Sequence, residues 1–232
     1  MRFRRAALSL GPTIIMALLP LVAHAQMLVN DTRRSTELAI VHEWFHRELE
    51  PAPYGDTQWN ITSLQLSYSV TDWFKFAFQG GYSVFEAEDF ADARYKQYSV
   101  GGGIAVRALK RETWDIEATA RYLDTFDLDT SLTLFHKHVR SANGSFQLVH
   151  SFSPFEQSVK LWAGPLIVDD FVESFAWDTT APVSSSDGLG WGAQAGTRIV
   201  MGGFVALYGF VSYVDDVQGG IALSLHAGNG GF

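Results

Sequence analysis

The sequence predicts an all-β chain, an antiparallel transmembrane barrel of about ten strands. Three observations carry this. Side-chain character alternates with a period of two, the connections are short at one end and long at the other, and aromatics gather where the alternating runs begin and stop. Eight or twelve strands fit the same pattern, because 127–142 reads either as a loop or as a further hairpin extension. Hydrophobic residues make up 47% of the 232 and charged residues 18%, which is too apolar for a disordered chain. Past residue 26 the longest uninterrupted apolar stretch, about 204–211, is far too short to cross a bilayer as a helix.

Residues 1–25 read as a signal peptide. Arg2, Arg4 and Arg5 precede the apolar Ile14-Ile15-Met16-Ala17-Leu18-Leu19, and Ala23-His24-Ala25 supplies the small-x-small pattern of a cleavage site. Residues 26–35 would form a short periplasmic segment, and 36–232 the barrel. Net charge is −8 for the full chain, and loss of the three leader arginines makes the mature chain more acidic still. A nucleic-acid partner is therefore not expected. With no cysteine, disulfides, thiol catalysis and thiolate metal sites are excluded.

The first strand is expected at about 36–47. The second, 58–70, has large apolar residues at even positions and small or polar ones at odd positions: Leu64, Leu66, Tyr68 and Val70 against Ser63, Gln65, Ser67 and Ser69. In the third, 73–85, Phe74, Phe76, Phe78 and Tyr82 oppose Lys75, Gln79 and Ser83. Tyr98, Val100, Ile104 and Val106 mark one face of the fourth (96–109), and Trp114, Ile116, Ala118 and Tyr122 one face of the fifth (113–125). Five more runs follow at about 144–153, 157–168, 189–200, 204–214 and 218–226.

Short turns at 71–72, 110–113, 153–156 and 201–203 alternate with longer polar stretches at 49–57, 86–96, 127–142 and 169–188. A membrane barrel with tight periplasmic turns and longer outer loops would show this. Most of the 25 acidic residues fall at the long-loop end. Two aromatic girdles are expected: Tyr68, Trp73, Phe74, Trp114, Phe155 and Phe204 at the short-turn end, and Trp44, Trp59, Phe85, Tyr98, Tyr122, Trp191 and Tyr213 at the other.

With these runs in place the chain resembles the small outer-membrane β-barrel proteins of Gram-negative bacteria. Leu66-Ser67-Tyr68-Ser69-Val70-Thr71-Asp72-Trp73-Phe74-Lys75-Phe76 looks like their strand, tight turn and strand, and the chain ends on Phe232 as theirs commonly do. The resemblance covers about 36–232 and implies a place in the outer membrane. An even strand number puts both termini in the periplasm.

Strand phase decides which charges face the lumen: Glu43, Arg47, Lys75, Arg107, Glu117, Arg121, Lys160 and Arg198, six basic and two acidic. Burying them requires partners or water. A narrow basic passage would favour anions, whereas a cross-linked network would brace a closed barrel; ten strands enclose too little space for an open pore of the sixteen-stranded kind. Lipid-facing residues are expected to include Leu64, Leu66, Phe74, Phe76, Ile104, Val106, Leu161, Ile199, Ile221 and Leu223.

His42-Glu43-Trp44-Phe45-His46 matches the H-E-x-x-H pattern, which on a helix would bring two histidines to one zinc with the glutamate as base. On a strand the histidines stand ~13 Å apart, and we expect a chance match in the first strand. His136 and His138 form a basic island with Lys137 and Arg140, expected to be a solvated loop. Asp169-Asp170 and Asp215-Asp216 fall at the outer rim. They would keep it hydrated, bind a divalent ion, bridge to lipid phosphates, or serve a hydrolase.

The leading functional expectation is a porin-like or small-solute transport barrel with a narrow basic lumen. The alternative is a structural or interaction barrel whose acidic rim binds divalent ions, lipopolysaccharide or a partner protein, and the third reading is a hydrolase at the barrel mouth. No catalytic, cofactor-binding or metal-ligating residue is assigned. The expected partners are outer-membrane lipid, lipopolysaccharide and small solutes.

Overall fold

A computed structural model describes residues 34–49, 55–87, 94–127, 135–154, 158–176 and 183–227. Residues 1–25, expected as a signal peptide, most of the segment 26–35, Phe155 and Phe232 lie outside the described residues, as do the side chains of Arg47, His136 and His138. The chain forms ten strands: β1 (Ser35–Leu49), β2 (Gly55–Ser69), β3 (Phe74–Ala87), β4 (Arg94–Lys110), β5 (Trp114–Asp127), β6 (Phe135–Phe152), β7 (Ser158–Ala176), β8 (Val183–Met201), β9 (Val205–Val214) and β10 (Asp216–Ala227). Each pairs antiparallel with its sequence neighbours, and β10 returns to β1, so the sheet is a closed barrel.

Polarity is inverted relative to a soluble barrel. Outward positions carry the large apolar side chains, with Ile40 60%, Leu64 52%, Phe78 64% and Trp191 67% exposed. Leu66, Ile104, Leu161, Ile221 and Leu223 are exposed on the same surface, and Phe74, Phe76, Val106 and Ile199 are half-buried between outward neighbours. Inward positions carry Ser63, Gln65, Ser67, Gln79 and Ser83 together with Glu43, Lys75, Arg107, Glu117, Lys160 and Arg198, all buried. No apolar patch of this extent is left uncovered on a water-soluble monomer. No helix among the described residues is long and apolar enough to cross a membrane.

Two expectations need correction. The stretch 169–188 is largely strand, with β7 running to Ala176 and β8 starting at Val183, while 127–142 takes the hairpin-extension alternative, with β6 beginning at Phe135. The three strands, β6 to β8, have 18, 19 and 19 residues, where ~9–11 suffice to cross a bilayer. Beyond the hydrocarbon a hairpin keeps its ladder, but neither face must be apolar, so a strand extension carries the composition of a loop. The outer aromatic girdle also loses two members. Trp59 and Phe85 are buried inside the barrel, on the phase of Ile61 and Ser83, while Tyr98, Tyr122, Trp191 and Tyr213 face outward and exposed.

Close packing fixes particular glycines. At Gly196 a Cβ would lie 2.2 Å from the Trp162 ring and 2.5 Å from Phe210 Cβ. The missing side chain is what leaves room for the indole and Phe210 at this point of the inner wall. Gly202 and Gly203, at φ 59° and 79°, make the turn between β8 and β9, where a side chain is disfavoured. Asp215 is the whole connection between β9 and β10 and sits at φ 61°, a conformation aspartate adopts more readily than most residues.

Gly196→Val should lower the unfolding free energy by ~1–3 kcal/mol through overpacking. Gly144→Ala, whose new Cβ would sit 3.7 Å from the Thr119 carbonyl oxygen, should change it by less than ~0.5 kcal/mol. Urea unfolding in detergent, followed by tryptophan fluorescence, separates the two; equal effects would mean that the Trp162 contact is unimportant.

Candidate functional site: a cross-braced lumen

Three charge groups span the interior, each built from residues whose strand phase turns them inward. At the end holding the short turns, Glu37 of β1 is the hub. Its carboxylate accepts from Lys75 Nζ of β3 at 2.7 Å and from the Tyr208 hydroxyl of β9. Arg198 Nε of β8 donates to Tyr208 Oη at 2.7 Å, and its terminal nitrogen lies 2.9 Å from His226 Nε2 of β10. The same imidazole nitrogen lies 3.3 Å from Glu37 Oε1, so His226 touches both the carboxylate and the guanidinium. Five strands thus meet on one carboxylate and one phenol.

Arg107 of β4 makes the second group. Its Nε lies 3.2 Å from Asp115 and 3.3 Å from Glu117, both on β5, while Nη1 donates to the Asp72 carbonyl at 2.8 Å. The same guanidinium therefore ties the β4–β5 hairpin to the turn between β2 and β3. A third pair crosses the middle: Arg121 of β5 donates both terminal nitrogens to Glu43 of β1 at 2.5 Å. These strands lie on opposite sides of the barrel, so the bidentate pair acts as a strut.

Towards the far end the lumen turns apolar. Phe45, Trp59 and Phe85 stack edge-on or tilted with ring centroids 5.4 and 5.5 Å apart, and Ile61, Leu123 and Val139 complete the cluster. Thr125 Oγ1 donates to Gln97 Oε1 at 3.0 Å and accepts from the Val139 amide at 3.2 Å, which seals the polar edge of this collar. A cavity of about 10 Å³ beside Trp59, Ser83 and Gln97 and another of about 10 Å³ beside Glu37, Lys75 and Tyr208 have room for roughly one water each.

Of the residues that sequence phase turns inward, Glu43, Lys75, Arg107, Glu117, Lys160 and Arg198 are buried, and Arg121 has a side chain only 9% exposed. Lys160 stands opposite Arg198 in the register between β7 and β8. The excess of base does not survive. Glu37, Asp115 and Asp170 are buried too, so the described inward side chains balance five acids (with Glu43 and Glu117) against Lys75, Arg107, Arg121, Lys160 and Arg198. The signal for Glu37 was available: it shares the odd phase of Glu43. Tyr208 and His226 share the even phase of Arg198, but nothing local marks them as its partners.

The rim acids separate. Asp169 is exposed on the outward face and Asp170 buried in the lumen, because neighbours on a strand point to opposite sides of a sheet. Asp215 is exposed at its turn, whereas Asp216 contacts His46 Nδ1 and caps the Val217 amide at 2.6 Å. Within the H-E-x-x-H match, His42 Nδ1 meets Thr62 Oγ1 at 2.9 Å on the outer wall and Glu43 faces the lumen. Strand geometry therefore removes the zinc reading. Among the described residues no group of three or more His, Cys, Asp or Glu could hold a metal.

Comparison with known proteins finds no matching family model and no matching curated protein. Solved structures do align. The solved structures it resembles are Gram-negative outer-membrane β-barrels. The translocator domain of autotransporter NalP from Neisseria meningitidis aligns at TM-score 0.45 and 9% identity, over 97% of this chain and 96% of that one. The transport unit of autotransporter AIDA-I from Escherichia coli gives 0.42 and 13%, over 93% and 97%. The outer membrane protease OmpT from Escherichia coli gives 0.41 and 9%, over 87% and 96%.

Removing one member of the central strut strands its partner. Glu43→Leu alone should destabilise the barrel by ~3–5 kcal/mol, and the double variant Glu43→Leu/Arg121→Met should recover most of that loss. Urea midpoints of the wild type and the two variants test the strut. A double variant as unstable as the single one would show that the pair carries more than charge compensation.

Proposed function

We propose that this protein is a sealed outer-membrane barrel of the structural or interaction kind, working through its outer surfaces. The observation that carries this is the burial of inward-facing charges in mutual contact. Glu43 and Glu117 are 0% exposed, Lys75 1% and Lys160 2%. Side chains lining a water-filled passage would keep contact with water. The outer-membrane setting is supported by the exposed apolar wall, the outward aromatics near the strand ends and closure without an edge. A signal peptide at 1–25 accords with it, and outer-membrane lipid is the natural partner.

Transport of small solutes requires the Glu43–Arg121 strut and the aromatic collar to part. A hydrolase at the mouth requires carboxylates that converge, and Asp169 and Asp170 diverge. Neither the anion bias nor the catalytic reading therefore gains support from the lumen.

Reconstitution into planar bilayers discriminates among these. Wild-type protein should give no steady conductance, and neither should Glu43→Ala/Arg121→Ala, which leaves the collar in place, whereas adding Trp59→Ala and Phe85→Ala to clear both barriers should give discrete openings. An anion-selective conductance of the wild type at low voltage would establish the transport reading instead. In parallel, the unheated protein should migrate differently from the boiled protein in detergent gels, as kinetically stable barrels do. A chain that stays monodisperse without detergent would end the membrane reading.

A further inference from the structure

Two neighbouring rungs of the outer wall are low in the middle and leave an almost wholly apolar groove of about 740 Å³. One rung carries Ala120 and Gly144 between Ile104 and Ile167, and the next carries Gly102 and Ala142 on either side of Tyr122. Such rungs stand two residues apart, about 7 Å along the strand, and the strands lie ~4.8 Å from one another. The groove is therefore one hydrocarbon chain wide and crosses from β4 to β7. Its volume lies within the ~300–1,000 Å³ of sites that bury most of a small ligand.

The groove also climbs. At one end Phe78 lies close to Phe74, where β3 leaves a short turn; at the other Asp169 lies past the midpoint of β7, which starts from its short turn at Ser158. An occupant thus has its tail deep in the apolar wall and its head towards the outer rim.

That head end carries one unanswered charge. Asp169 is exposed and outward-facing, and among the described residues its carboxylate has no hydrogen-bond or ion-pair partner. Arg140 and Asp124 face each other across β5 and β6 and are both engaged, with Tyr122 Oη donating to Asp124 Oδ2 at 3.4 Å. Arg121 borders the groove but gives its guanidinium to Glu43 in the lumen. What remains is a single carboxylate, on a wall where charge is costly unless a cation or water meets it.

We propose that this groove binds one single-chain amphiphile with a primary ammonium head. Its methylene chain lies over Gly102, Ala120 and Gly144, and Asp169 holds its ammonium. The width admits one chain, and the lone carboxylate selects a cation. An anionic head would meet Asp169 with like charge, and a neutral head would leave it uncompensated. The proposal rests on the outer-membrane reading and adds to it a site and a ligand class.

Native mass spectrometry of the protein in non-ionic detergent, titrated with hexadecylamine, tests the site. Wild type should take up one amine, and hexadecanol should bind about tenfold more weakly, the loss of one charge-assisted contact. Asp169→Asn should weaken the amine about tenfold and leave amine and alcohol equal. Glu112→Gln, which neutralises an exposed carboxylate in the turn between β4 and β5, should change neither. Gly144→Leu and Ala120→Leu should each lower the bound amine at least about tenfold by filling the floor.

Three results overturn the site: equal binding of amine and alcohol by wild type, unchanged binding in both floor variants, or a wild-type dimer that the floor variants dissociate, which would give the groove to a second copy. Heat-modifiable migration of every variant shows that the barrel is intact, so such a result would sink the amphiphile site alone. A wild type that is not heat-modifiable would sink the barrel reading, and the amphiphile site with it.

Discussion

When β10 pairs with β1, from Thr36 opposite Ala227 to Trp44 opposite Gly219, the last free row of amides and carbonyls is satisfied and the sheet has no edge. In hydrocarbon that condition is close to absolute, since each unpaired backbone group costs several kcal/mol and no water is present to meet it. Closure divides the side chains into two populations with opposite requirements. Those on the outside meet lipid tails and must be apolar. Those on the inside meet one another in a space that ten strands keep narrow.

The lumen answers that second requirement with charge. Each ion brought out of water carries a desolvation cost of several kcal/mol, which mutual attraction offsets only when the geometry is good and the remaining hydrogen-bonding positions are filled. Glu37 meets this by taking Lys75 and Tyr208 together, and Arg107 by taking Asp115, Glu117 and the Asp72 carbonyl. These pairs fasten strands distant in sequence, Glu43 to Arg121 being 78 residues apart. The same chemistry that makes the interior affordable makes it closed, because a group held by two or three partners is not free to line a passage. The apolar collar of Phe45, Trp59 and Phe85 adds a second barrier of different chemistry at the other end.

The outer wall is less uniform than a lipid-facing surface needs to be. Large side chains at Phe78, Ile104 and Leu189 stand around a floor of glycine and alanine, and charged groups close one end. A surface serving only to dissolve the barrel in the bilayer has no need of relief. Shape and charge together set this stretch of the wall apart from the large apolar side chains around it.

The sequence by itself determined the all-β class, a strand number of about ten and the face of most residues, because a period of two is a property of the extended chain and depends on nothing distant. Lys75, Arg107, Arg121 and Arg198 could be turned inward on that ground alone, as could the overlooked Glu37. Only the tertiary structure decided which charge meets which: whether Arg121 finds Glu43 depends on the register of five successive strands and on closure, and no local pattern encodes either. Trp59 and Phe85 share the inward phase of Ile61 and Ser83, and only the tertiary structure shows the apolar collar that takes aromatics inside the barrel; polar strand extensions read as loops for a different reason. Alternation reports which residues share a side only while the two sides face different solvents, and beyond the membrane both face water.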